Sequence, residues 1–187
     1  MRHFAALALL SLSALACSSS SRREEAPPVL QNQIDLTIDR LRHEKGVDYV
    51  NDLRRLAAYE GFAVPRLVDL LDDRDAHMRR GAAFALGDIN DPRVVPALKD
   101  HSEDKNEIVR LEIARSLLHR GDWSGIPTLI QGLRSSDPTI RMRCDEALRD
   151  QTMKDFGFPV EGSPEERAAA IGRWEQWWRS AQAEVQG

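Results

Sequence analysis

The sequence predicts an all-α protein, a short right-handed α-solenoid of about four helical hairpins closed by a C-terminal capping helix. Three observations carry this. Pro65, Leu67, Leu71, Met78, Arg79, Ala83 and Leu86 return thirty-one residues later as Pro96, Leu98, Ser102, Val109, Arg110, Ala114 and Leu117. They return again as Pro127, Leu129, Leu133, Ile140, Arg141, Asp145 and Leu148. A fixed period in the thirties with two apolar-periodic halves is the pattern of stacked helical pairs, each too small to bury its own apolar face. Asp75, Asn106 and Asp137 recur at the same spacing before the second half of each unit, where a short polar side chain caps a helix. Ser163-Pro164-Glu165-Glu166 then opens a tryptophan-bearing segment with a cap, a proline at the first helical position and a capping box.

The elements follow in order. Residues 1–16 have the layout of an export signal: Arg2 and His3, an apolar run from Phe4 to Leu15, then small residues. The run is shorter than the roughly twenty residues that a spanning helix needs. Ser13-Ala14-Leu15-Ala16-Cys17 resembles a bacterial lipobox, in which a small residue precedes a cysteine whose thiol accepts diacylglycerol. Ala14 and Leu15 stand in the opposite sense to the usual box, and Ala14-Leu15-Ala16 also fits ordinary signal cleavage. Lipidation at Cys17 is the expectation, with an exported protein held on the membrane by its N-terminal lipid. Ser18 after the cysteine points to the outer membrane; without lipidation the protein is expected to be free in the periplasm. Residues 17–28, with Ser18–Ser21 and Arg22-Arg23-Glu24-Glu25-Ala26-Pro27-Pro28, have no apolar period and read as a tether.

Residues 29–151 hold the repeats. Leu30, Ile34, Ile38 and Leu41, then Val47, Val50, Leu53, Leu56 and Ala57, form a divergent first hairpin, with Gly46 between its halves. The regular hairpins follow, Pro65–Leu71 with Met78–Leu86 being the first; Asp91-Pro92 marks a helix start in the next. Residues 152–187 break the period, with a loop through Phe156, Phe158 and Pro159 and a helix carrying Trp174, Trp177 and Trp178.

Composition narrows function. The net charge of −4 gives no concentrated basic stripe for nucleic acid. Two cysteines, Cys17 and Cys144, are too few for a disulfide framework, and Cys144 falls in the apolar column of Ala82 and Ile113. The five histidines occupy different repeat positions, so no metal site is expected. No His-Glu-x-x-His, Gly-x-Ser-x-Gly or phosphate-binding glycine loop occurs, so neither catalysis nor a cofactor is expected.

Pro-x-Leu, Asp-x-x-x-Arg, Ala-x-x-Leu-Gly-Asp and Asp-Pro-x-x-Val-Pro, best seen from Val64 to Arg93, resemble HEAT repeats of the phycobilisome-lyase-like type. The resemblance covers roughly Ile34 to Asp150; Leu117-Leu118 and Leu148-Arg149 replace the Leu-Gly pair later on. It implies a helical scaffold and no particular activity. The lyase association comes only from the name of the repeat class, and export speaks against it. The expected function is a monomeric, non-catalytic adaptor for a protein partner in the bacterial cell envelope; the alternative is an enzyme subunit or lyase-like protein acting on a small molecule or cofactor. Partner-binding candidates are the Arg79, Arg110 and Arg141 column, which could grip carboxylates bidentately, and Trp177 and Trp178. The competing reading pairs each arginine with the neighbouring repeat and uses the tryptophans to close the core.

Overall fold

A computed structural model describes residues 26–185. Cys17, the leader and most of the tether lie outside the described residues. Four hairpins stack in chain order: α1 (Pro28–Leu41) with α2 (Gly46–Ala58), α3 (Val64–Leu70) with α4 (Ala76–Gly87), α5 (Val94–Asp100) with α6 (Glu107–His119), and α7 (Ile126–Gly132) with α8 (Pro138–Thr152). The long helix α9 (Pro164–Val185) follows. This is a short α-solenoid; every helix and turn helix among the described residues fits it, and no strand occurs among them.

The second helices begin at Ala76, Glu107 and Pro138, in exact register with the sequence period. The caps explain the register. Asp75 accepts from His77 N at 2.9 Å, Asn106 from Ile108 N at 3.0 Å and Asp137 from Thr139 N at 2.7 Å. Each carboxylate or amide oxygen satisfies a donor that the helix cannot, a contribution of about 0.5–2 kcal/mol. The first hairpin keeps the register within one residue, α2 starting at Gly46 with φ 65°. Gly46 therefore does more than separate two helices: it makes the left-handed turn into the second one.

Asp91-Pro92 behaves differently from the expectation. The carboxylate Oδ1 of Asp91 accepts from Arg93 N at 2.9 Å, and Pro92 lies in that turn, so α5 starts only at Val94. Arg93 reaches back with Nη2 to Gly61 O at 2.7 Å, tying the turn to the previous hairpin and drawing the chain off the helical path.

The core forms two continuous clusters. One runs from Ile34 through Leu56, Leu67 and Leu86 to Ile113 and Leu117; the other runs from Leu118 through Leu129 and Leu148 to Trp174. Burying each such leucine contributes about 1.5–3 kcal/mol. Around α7, close approach is set by glycine. A Cβ on Gly125 would overlap the Ala114 carbonyl, and one on Gly132 would overlap the Cys144 sulfur. At the end, Ser163 Oγ accepts from Glu166 N at 3.2 Å while Glu166 Oε2 accepts from Ser163 N at 2.8 Å, the reciprocal capping box that the sequence contains.

Candidate functional site

The second helices α2, α4, α6 and α8 lie side by side and turn one face toward a shared groove of about 450 Å³. Because they keep the thirty-one-residue register, the face is a grid. One row crosses the helices as Tyr49, Arg80 and Leu111; the next as Val50, Gly81, Glu112 and Arg143; the third as Leu53, Phe84, Arg115 and Glu146. Asp150 and His119 stand beyond them.

The grid is chemically uneven. Over α2 and α4 it is apolar, walled by Tyr49, Val50, Leu53 and Phe84. The Tyr49 ring stacks on His77 with centroids 4.1 Å apart, and its hydroxyl donates to His77 O at 2.9 Å. Burial raises the Tyr49 pKa, against the lowering effect of the Arg80 cation beside it. Gly81 makes the crossing possible, since a Cβ there would overlap the Tyr49 hydroxyl. Over α6 and α8 the face is charged. Arg115 donates through Nε to Glu112 at 2.7 Å and lies 5.2 Å over the Phe84 ring, a cation–π contact that bridges the two halves. Among the described residues no carboxylate lies within ion-pair distance of Arg80 or Arg143, and Glu146 and Asp150 form no ion pair.

The sequence-derived arginines sit elsewhere. Arg79 is 4% exposed and Arg141 5% exposed. Arg79 donates from Nε to Asp104 Oδ2 at 2.6 Å, from Nη2 to Asp104 Oδ1 at 2.8 Å, and from Nη1 to the carbonyls of Asp73 and Arg74. Its guanidinium holds the Asp104 carboxyl below the usual carboxylate range. Arg141 donates to Ser135 O, Ser136 O and, twice, Val160 O. Arg110 keeps one such bond, to Asp104 O at 2.7 Å, because the next loop carries Ser135 where the preceding one carries Asp104. Arg79 thus staples its hairpin to the next, Arg141 staples the last hairpin to the loop before α9, and Arg110 bonds only within its own hairpin. Two of the three arginines are buried with four hydrogen bonds each, so as partner-binding groups Arg79 and Arg141 have little left to offer.

The tryptophans also serve the end of the stack. Trp174 is fully buried and meets Phe156 edge-on at 4.7 Å. Trp177 packs edge-on against Trp174 at 5.6 Å, and Trp123 tilts against both Trp177 and Trp178 at 6.0 and 6.2 Å. Trp177 and Trp178 are half-buried; Trp123, from the turn before α7, is the most open of the four at 37%. None of them lines the groove. Cys144 is buried at the groove floor, where desolvation pushes its thiol up to about 12, so it stays protonated and unreactive.

The groove's own charged residues were not singled out from periodicity. The apolar columns mark what is buried, whereas Arg80, Glu112, Arg143 and Glu146 fall one to five positions after the arginine column and change type from repeat to repeat. Their signal is the alternation of charge down the equivalent positions of successive second helices.

Fold and groove together define a helical-repeat scaffold. Residues 49–118, which span α2 to α6, match the family model described as HEAT repeats. No curated protein matches the chain. Among the described residues no group of three or more His, Cys, Asp or Glu side chains is placed to hold a metal ion, and no helix is long and apolar enough to cross a membrane.

Proposed function

We propose that this protein is a non-catalytic adaptor that docks a protein partner in the groove of α2, α4, α6 and α8, and is held on a bacterial envelope membrane by lipid on Cys17. The observation that supports docking is the groove itself: an open, partly apolar surface on a rigid repeat scaffold, with charged side chains left unpaired at its rim. The Arg79–Asp104 pair supports it indirectly, because it ties together two of the hairpins whose second helices form that face. The anchor rests on the sequence of the leader and tether alone. Acyl chains contribute about 0.8 kcal/mol per buried methylene, enough for two chains to hold a folded domain stably.

Docking is tested by placing a photo-reactive side chain at Phe84 in the groove or at Gln131 on the exposed face of α7, in the native cell. A discrete crosslinked partner from position 84 and none from 131 is expected; equal yields from both would exclude the groove. The anchor is tested separately by Cys17→Ala, which should release the processed protein from membranes or block processing. Normal processing with unchanged membrane association would refute lipidation.

A further inference from the structure

We infer that the groove takes an extended peptide segment of opposite end charges, its acidic residue over Arg80 and its basic residue over Glu146 and Asp150, with apolar residues between. This rests on the docking reading above and names the chemistry of the docked segment.

Reach sets the length. From α4 to α8 is two helix spacings, about 16–20 Å. At about 3.3 Å per residue, five or six residues of extended chain cover the distance from Arg80 to Glu146.

Charge selects the ends. At the α4 end the cation is Arg80, in a wall otherwise made of Tyr49, Val50, Leu53 and Phe84. The Tyr49 hydroxyl is committed to His77 O, and the nearby Glu112 carboxylate is engaged by Arg115 at 2.7 Å. Arg80 is thus left facing an apolar wall without a counter-ion, and a carboxylate from outside would complete it with charge-assisted hydrogen bonds. At the α8 end Glu146 and Asp150 outnumber Arg143, so the local balance is negative and favours a cation. Between them Leu111 and Ile140 are only half-buried, and Met142 beside them is 41% exposed, a surface that apolar side chains would cover.

The test is selection from a displayed library of random peptides, roughly twice the expected footprint in length, on the purified protein and on Arg80→Glu and Glu146→Lys/Asp150→Lys variants. All three positions are at the surface or half-buried, and helical circular dichroism verifies that each variant folds. Wild type should enrich peptides with an acid and a base about five or six residues apart around apolar residues. Arg80→Glu should shift selection to peptides basic at both ends, and the double lysine variant to peptides acidic at both ends. A representative wild-type peptide should bind Arg80→Glu at least about fivefold more weakly. No enrichment, or the same peptides from all three proteins, would overturn the inference. If crosslinking from position 84 still captures a partner in that case, the docking surface stands and only the peptide chemistry falls.

Discussion

Arg79 and Asp104, twenty-five residues apart, meet in a two-pronged ion pair with N–O distances of 2.6 and 2.8 Å, both side chains less than a tenth exposed. The arginine belongs to α4 and the aspartate to the loop ahead of α6, so the pair locks one hairpin to the next. Asp104 also accepts from Asn106 N at 2.7 Å, and Asn106 caps α6. A cap, a loop and a neighbouring helix are therefore one connected unit.

Removing Arg79 strands a buried carboxylate. Arg79→Ala should destabilise the fold by about 3–5 kcal/mol, the usual cost of breaking a buried pair from one side. Arg110→Ala, which loses a single bond to a carbonyl, should cost about 0.5–1.5 kcal/mol. Urea unfolding of the two variants checks the ranking; equal losses would refute the reading of Arg79 as the interhairpin staple.

The same pair has a pH signature. Asp104 has a folded pKa below its unfolded value of about 3.9, chiefly through the Arg79 hydrogen bond. An acid of depressed pKa contributes stability that is complete above the unfolded value and lost as pH falls through the folded one. Wild type should therefore lose more stability than Asp104→Asn as the pH is lowered from about 5 towards 2. Thermal melts across that range measure the difference.

Asp145 works in the opposite direction. It stands in the column of Ala83 and Ala114, is 4% exposed, and leaves Oδ1 without a hydrogen-bond partner; Arg149 reaches Oδ2 only at 3.4 Å. Burial raises its pKa. A carboxyl with a raised folded pKa costs stability while ionised and regains it as pH falls through that value toward the unfolded one. Asp145→Ala should stabilise the protein by about 1–2 kcal/mol at neutral pH, with the gain shrinking on acidification. Denaturant midpoints at pH 7 and pH 4 read both parts.

Close packing makes a fourth prediction. Gly125→Ala would drive its Cβ into the Ala114 carbonyl, which is backbone and cannot swing away. A loss of about 1–3 kcal/mol is expected from this overpacking. Gly172→Ala, where nothing lies in the way, should be neutral or slightly stabilising because α9 gains helix propensity. Melting temperatures of the two alanine variants distinguish them.

The fold was largely written in the sequence because its determinants are local and periodic. Asp75, Asn106 and Asp137 fix where helices start, and Leu67, Leu98 and Leu129 fix which faces are buried. The site was much less legible. Arg79 and Arg141 look like a binding ladder in the sequence, but the partners that occupy them, Asp104 and Val160, come from loops whose positions depend on the stacking itself. Arg80 and Arg143 look like ordinary solvent-facing residues until the helices align and place them across one groove. Trp123 likewise joins Trp177 and Trp178 only through the packing of α9 onto the turn before α7.

The central claim is that the inner face of the second helices receives the partner. Its most direct measurement is the affinity of the partner crosslinked from position 84 for the wild-type protein, for Arg80→Glu in the groove, and for Arg179→Glu on the exposed side of α9. The groove variant should bind at least about tenfold more weakly, with the α9 variant matching wild type. Unchanged affinity in the groove variant, or an equal loss in both, would contradict the account.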